Sequence, residues 1–397
     1  MKNETALAFS DILLKPCDFS YVRSRADVDT SQIICGQEYK LPVIASNMDS
    51  VYSPELAREV AKHGGISCVH RFCTIEENVK LFNKGIFEQP TGIGFRDIKP
   101  WVSVGVTKGE LERAEVLVTA GAEVLLIDVA HGAAIHVAEQ FIKLKELFKD
   151  NVKIIVGNFA TASQIKSFIY HSKYAPDAFK INIGSGSACS TRVITGVGLP
   201  SVASIQECSG LGIDVIQDGG ITNSGDLCKC LALGAKAAFV GKLFAACKES
   251  GARDTNSDIS VSDTIFYKNC KGYDFSGNNL EKYARNYCPY GYFYKIIEDK
   301  HTYRIHFFNQ KWYRGSASAS SYKSQGKEKS HITPEGEEFF IPVSGTVKDL
   351  MQKFEGGLRS SMSYLGAFNL EQYRGNAEWV IVSENGARES LPHGKER

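Results

Sequence analysis

A cysteine stands in a loop of small residues, Ile183-Gly184-Ser185-Gly186-Ser187-Ala188-Cys189-Ser190-Thr191-Arg192. Its glycines let the backbone approach a ligand, or turn carbonyls inward towards a cation. A thiol presented by such a loop is open to substrate, and its thiolate is a nucleophile. The plain alternative is that Cys189 fills a small gap, as unreactive cysteines do. The loop alone leaves both open. Asp218-Gly219-Gly220 and Gly241-Lys242 offer a different chemistry. Glycine N–H groups reach phosphate oxygens, and Asp218 accepts hydrogen bonds from ribose hydroxyls. A tight turn is the plain alternative for Gly-Gly. In Ile127-Asp128-Val129-Ala130-His131-Gly132, Asp128 suits a second ribose, such as that of a nicotinamide cofactor, or the cap of a following helix. His131 alone is weak evidence of acid–base chemistry.

These residues are far apart in the chain, so regular elements must bring them together. Short apolar runs recur, each followed by a polar or glycine stop and a helical pattern. They are Leu41 to Ala45, Ile66 to Val69, Val102 to Val104, Val124 to Ile127, Val152 to Val156, Phe179 to Ile183, Ile213 to Ile216 and Ala237 to Val240. Their unbroken apolar character suits parallel strands buried on both faces. Ser53–His63, Thr74–Asn83, Thr107–Ala120 and Ser224–Leu233 are amphipathic, with Ser53-Pro54 as a helix start and Gly121 and Gly234 as helix stops. The pattern predicts a (β/α)8 TIM barrel. An open doubly wound sheet is the runner-up, but its G-x-G-x-x-G turn is missing after the first strand, where Ser46-Asn47-Met48-Asp49 follows. Barrels of this kind work at the C-terminal ends of their strands. That rule places Met48, Asp128, Asn158, the Cys189 loop, Asp218 to Gly220 and Gly241 on one rim.

The chain has 397 residues, 46 Lys+Arg against 45 Asp+Glu, and a formal charge of +1. This balance opposes a broad nucleic-acid surface, while allowing a small anion pocket. The 11 cysteines lack the spacing of a disulfide scaffold, which places the chain in a reducing compartment. Cys228 and Cys230 have no second pair at zinc spacing. The N-terminus has no signal core and no apolar run is long enough for a membrane span, so the expectation is a cytoplasmic protein without a membrane partner. The barrel, with its N-terminal segment, is assigned to 1–250 and an aromatic-rich insertion to 251–312. A flap and a barrel-completing segment take 313–397. Within these, Tyr303–Phe308 alternates like a hairpin, Ser316–Ser330 is expected to be mobile, Thr346–Tyr364 to be helical and Trp379–Val382 to be a strand.

The residues now in view resemble those of the IMP dehydrogenase/GMP reductase barrels over most of 7–250 and again from Trp312 to about Ala367. The motifs are Gly184 to Thr191, Gln217-Asp218-Gly219-Gly220-Ile221, Ala45-Ser46-Asn47-Met48-Asp49-Ser50, Tyr313-Arg314-Gly315-Ser316-Ala317-Ser318 and Gly356-Gly357-Leu358-Arg359-Ser360-Ser361. The resemblance implies chemistry at C2 of a purine mononucleotide, GMP or IMP. Cys189 would form a covalent thioimidate and Thr191 would assist the water or ammonia step. Asp218, Gly219, Gly220, Gly241 and Ser187 would hold ribose and phosphate, while Met48, Tyr313, Gly315, Ser316 and Glu335 would line the base. A nicotinamide cofactor would lie against Asp128 and Asn158. Potassium would sit on the carbonyls of Gly184, Gly186 and Cys189. Assembly would be a homotetramer.

Within the resemblance the direction leans to GMP reductase with NADPH. IMP dehydrogenases, which use NAD, usually carry inserted domains after the second strand, and about thirty residues are all that separate Arg71 from Trp101. Their flap Arg-Tyr pair has no counterpart in Tyr322-Lys323-Ser324-Gln325-Gly326-Lys327-Glu328. Ser10 to Pro16, Ser24 to Val28, Asn47-Met48-Asp49 and Thr195 to Gly198 resemble the reductases. The reductase pattern departs at Ala319, where a flap Glu is usual; Glu328 is a candidate substitute. It departs again at Lys242, which either contacts the phosphate or extends to solvent. A different class stays open: a purine-nucleotide-binding protein that has lost turnover, with 251–312 as a partner surface.

Overall fold

The computed structural model describes residues 5–91, 94–262, 293–299, 302–324 and 333–390. All eight apolar runs become strands: β1 Val43–Ala45, β2 Ile66–Val69, β3 Trp101–Val104, β4 Val124–Asp128, β5 Lys153–Phe159, β6 Ala178–Ile181, β7 Val215–Asp218 and β8 Ala237–Val240. They pair in parallel in sequence order, and β8 returns to β1 to close the barrel. The expectation of a (β/α)8 TIM barrel is met.

Alternation along each strand sorts side chains between two cores. Ile44, Cys68, Trp101, Leu126, Ile155, Ala178, Ile216 and Phe239 fill the barrel interior. Their neighbours Val43, Ala45, Val102, Leu125, Ile127, Val156, Phe179 and Ala238 pack outward in the larger cluster under the helices. Each large apolar side chain buried this way contributes about 1.5–3 kcal/mol. The N-terminal end of the interior is plugged by a hairpin, Gln32–Ile34 with Gln37–Tyr39, that the sequence did not announce. Tyr39 and Ile34 belong to the interior core, and the Trp101 indole N–H donates to the Tyr39 hydroxyl at 3.2 Å.

The first seven outer helices are α1 Pro54–Lys62, α2 Ile75–Gly85, α3 Glu110–Thr119, α4 Ile135–Phe148, α5 Ala162–Ser172, α6 Ser201–Ser209 and α7 Ser224–Ala232. Ser53 caps α1 through its side chain, with Pro54 at the first helical position, as the sequence predicts. The eighth, α8 Val347–Tyr364, arrives from a hundred residues beyond β8 and packs between α7 and α1. Thr346 and Asp349 form its capping box. Trp379–Ile381 pairs with Ile12–Leu14 beside it.

Between β8 and α8 the chain builds a separate antiparallel sheet. Thr302–Arg314 pairs with Arg253–Ser262, with Phe293–Asp299 and, at its far end, with Glu338–Pro342. One strand therefore runs through the 312/313 boundary read from the sequence, and the insertion is continuous with the flap. The start of the expected mobile stretch is a turn and a short helix, Ala319–Ser324; residues 325–332, with Glu328, lie outside the described residues. A second unannounced hairpin, Phe87–Thr91 with Gly94–Ile98, joins α2 to β3. Among the described residues no helix is long and apolar enough to cross a membrane.

Candidate active site

The alternation that buries the interior core also carries polar side chains to its upper end. Asp128 shares its face with Leu126, Lys180 with Ala178 and Asp218 with Ile216, so all three point inward at the C-terminal rim. Lys180 is 3 % exposed; its ammonium lies 2.5 Å from Asp128 Oδ1 and 2.8 Å from Asp218 Oδ2. Asn47 donates to Asp128 Oδ2 at 2.8 Å, and Asn158 donates to Asp218 Oδ2 at 2.6 Å. The result is an unbroken chain: Asn47, Asp128, Lys180, Asp218, Asn158. Burial pushes the Asp128 carboxyl up, but the Lys180 charge, the hydrogen bonds from Lys180 and Asn47 and the Arg71 charge together outweigh it and hold the group below its ordinary range. Burial works against the Lys180 ammonium, yet the two carboxylates lift it well above the usual lysine value.

The Cys189 loop leaves β6 and is held from both sides. Arg192 donates to the carbonyls of Ile183 and Leu199 and to Asn182 Oδ1, stitching the loop to its own base. The flap pairs with the other side: Ser190 N–H donates to the Glu335 carbonyl at 2.9 Å, and Glu337 N–H donates to Ala188 O at 2.8 Å. Cys189 is exposed, and its thiol donates to Thr191 Oγ1 at 3.2 Å. Burial pushes Cys228 up to about 11 and Cys208 and Cys247 up to about 12, and the half-buried Cys73 up to about 11. Such thiols stay protonated and inert.

One cavity of about 320 Å³ lies over this floor, within the size of small-molecule sites. Every site residue singled out from the sequence lines it: Met48, Asp128 and Asn158 at the floor; Gly184, Gly186, Ser187, Cys189 and Thr191 on the loop; Asp218, Gly219, Gly220, Gly241 and Lys242 at the last strands; Tyr313, Gly315, Ser316 and Glu335 on the flap. Gly219 and Gly220 take φ of +67° and +77°, which side-chain-bearing residues rarely adopt, so the turn requires glycine. The Asp218 carboxylate accepts from Asn158 and Lys180 through Oδ2.

Asp128 does not cap the next helix, whose cap is Ala134. Lys242 is exposed, and its ammonium lies 5.7 Å from the Phe339 ring centre at the cavity rim. His131 is exposed and does not line the cavity. Lys180 and Asn182, which also line it, are not singled out from the sequence, while Asn47, Arg71 and Tyr322 are in view there without a site role. A signal existed for Lys180: a lone charge inside the apolar run Ala178-Phe179-Lys180-Ile181 demands buried partners.

The family model for the IMP dehydrogenase / GMP reductase domain matches residues 6–286 and 301–393. The chain belongs to the IMP dehydrogenase/GMP reductase family. It is an oxidoreductase of that family, whose members act on purine mononucleotides with a nicotinamide cofactor. The chain is 29 % identical to an inosine-5'-monophosphate dehydrogenase of Borreliella burgdorferi, over 98 % of its own length and 96 % of that protein. It is 33 % identical to the enzyme of that name from Helicobacter pylori, over 76 % of this chain and 53 % of that one. A GMP reductase of Vibrio campbellii is 28 % identical, over 100 % and 99 %. Because the Borreliella protein is spanned almost whole, the missing inserted domains do not separate reductase from dehydrogenase within the family.

Proposed function

We propose that the chain is a GMP reductase, converting GMP and NADPH to IMP, ammonia and NADP. The observation that carries this reading is the engagement of the arginines near the thiol. Arg192 is spent on its own loop, and Arg314 is paired with Asp49 and Ser320. Arg71 faces the Asp128 carbonyl at 3.4 Å, and residues 319–337 contain no arginine. Neither Arg192 nor Arg314 is therefore free to activate water, and Arg71, whose Nε has no partner among the described residues, sits beside Asp128 at the cofactor end. Deamination, by contrast, needs an acid, and Glu335 lines the cavity with Cys189 and Thr191.

In this reading Asp218 Oδ1 accepts from ribose hydroxyls, while the N–H groups of Gly219, Gly220 and Gly241, with Ser187, hold the phosphate. Met48, Tyr313, Gly315 and Ser316 wall the base. The Cys189 thiolate adds to C2, a proton passed from Glu335 through Thr191 makes the 2-amino group a leaving ammonia, and the C2–N bond breaks to leave a C2–S thioimidate. When bound, the reduced nicotinamide supplies the hydride that C2 accepts. Departure of the thiolate then completes IMP. The floor beside Asp128 and Asn158, with Arg71 and Phe72, fits the cofactor's polar and planar parts. The loop carbonyls of Gly184, Gly186 and Cys189 are neutral oxygen donors, the set a monovalent cation such as potassium takes. A homotetramer, four times the 43.7 kDa chain, is the assembly to look for by light scattering.

IMP dehydrogenase is the second reading, favoured by the names of the Borreliella and Helicobacter proteins. Absorbance near ~340 nm separates the two: it falls with GMP and NADPH in a reductase and rises with IMP and NAD in a dehydrogenase. Activity with IMP and NAD alone overturns the reductase reading. Nucleotide binding without turnover in either direction favours the binding protein.

A further inference from the structure

We infer that Lys180 is a positioning residue that couples the nucleotide end of the cavity to its cofactor end, by sharing one buried ammonium between Asp218 and Asp128. The inference rests on the assignment of those two carboxylates to the two ligands, and deepens it. Lys180 is not packing material: its side chain is 3 % exposed, and both neighbours of its ammonium are carboxylates lining the cavity. The remaining groups facing this cluster are few. Arg71 reaches the Asp128 carbonyl at 3.4 Å, Asn47 and Asn158 each donate to one carboxylate, and the buried thiol of Cys68 lies below. The Phe239 ring, 5.2 Å from the ammonium, closes the last side.

The two carboxylates and the shared ammonium sum to −1, and the Arg71 guanidinium on the Asp128 side offsets that charge. Without the ammonium, two half-buried carboxylates face each other, and one takes up a proton more readily. A ligand bound at Asp218 pulls on the same cation that holds Asp128, so each end feels the occupancy of the other. The strand register permits this sharing. Gly157 stands between Asp128 on β4 and Lys180 on β6, and the lysine side chain crosses where Gly157 has none.

The test measures GMP binding by calorimetry, without cofactor and hence without turnover, at pH 5.5, 7.0 and 8.5. Wild type is compared with Lys180→Met, Asp128→Asn and the double variant, and taking ratios to wild type cancels titration of the GMP phosphate. The expected result is that Lys180→Met weakens GMP at least about tenfold at pH 8.5 and about threefold or less at pH 5.5, where a proton replaces the ammonium. Adding Asp128→Asn restores most of the affinity and removes the pH dependence. Wild-type affinity in Lys180→Met at pH 8.5, or no rescue by Asp128→Asn, overturns the coupling. Should Lys180→Met fail to fold, Asp128→Asn alone decides: it weakens GMP several-fold across the cavity, and unchanged affinity overturns the inference. Should wild type bind neither GMP nor IMP, the functional reading fails. The coupling is then judged from ligand-free thermal midpoints, where the deficit of Lys180→Met grows from pH 5.5 to 8.5 and Asp128→Asn cancels it. A deficit that does not change with pH overturns the coupling.

Discussion

Replacing Gly157 by alanine adds one methyl group at the crossing of Lys180 over β5. A Cβ there would lie 2.6 Å from Lys180 Cβ, 3.0 Å from its carbonyl oxygen and 3.1 Å from Cε. Carbon atoms rest about 3.5–4.0 Å apart, so the two strands must part by nearly an ångström, or Lys180 must leave its path. Neither is free. Gly157 is paired with Asp128 on one side and with Lys180 on the other, and both ladders are parts of a closed barrel. Overpacking of a well-filled interior costs about 1–3 kcal/mol. Alanine recovers about 0.4–1 kcal/mol by restricting the unfolded chain, which leaves a net loss of about 1–2 kcal/mol. Urea unfolding measures it as a lower midpoint with an unchanged slope. Gly210→Ala is the control: Gly210 has φ of −76°, and an added Cβ meets nothing within 4 Å, so its midpoint stays at wild type or rises slightly. Because the methyl displaces the lysine, kcat/KM for the nucleotide falls with Gly157→Ala. A Gly157→Ala protein as stable and as active as wild type would refute the account of how the floor is built.

Other measurements follow from the same geometry. Iodoacetamide at neutral pH should alkylate Cys189 ahead of Cys73, Cys208, Cys228 and Cys247, and GMP should protect it; peptide mapping showing equal labelling sinks the nucleophile assignment. Glu335→Gln should lower kcat by about a hundredfold or more, the usual worth of a positioned acid, and a loss under threefold removes Glu335 from the proton path. Asp128 is held below its ordinary pKa, so its stabilisation is present above about pH 4 and lost as pH falls through the lowered folded value. Lys180 is raised, so its stabilisation is present below about pH 10.4 and lost only as pH rises past the higher folded value. The thermal-midpoint gap between wild type and Asp128→Asn should therefore stay constant from pH 5 to 9 and shrink below pH 4, and a gap that changes near pH 7 contradicts the pair.

What could be read without coordinates followed from short-range physics. Strands buried on both faces must be continuously apolar, so Val124 to Ile127 and Ala237 to Val240 declare themselves. Turns with positive φ need glycine, which marks Gly219 and Gly220. The rule that barrels work at strand ends then gathers Cys189, Asp218 and Asp128 on one rim, and all three line the cavity. The cap at Ser53 and the capping box at Thr346 are equally local.

The tertiary structure decided whatever depends on partners far away in the chain. Asn47 meets Asp128 across 81 positions, and Lys180 meets Asp218 across 38, so no window of sequence holds both members of either pair. Arg192 and Arg314 look alike in a sequence as candidate guanidinium catalysts, and only their contacts show both already committed. Thr346–Tyr364 reads as a helix of a barrel-completing segment from the sequence, and its packing against α1 and α7 is what gives it the eighth helix's place. Periodicity reports which face of an element is apolar, and so this chain disclosed its barrel and its rim. The choice of charges that share the floor is made by the barrel's closure, which sets Asp128 and Asp218 within reach of the Lys180 ammonium, a cation buried too deeply to stand unpaired.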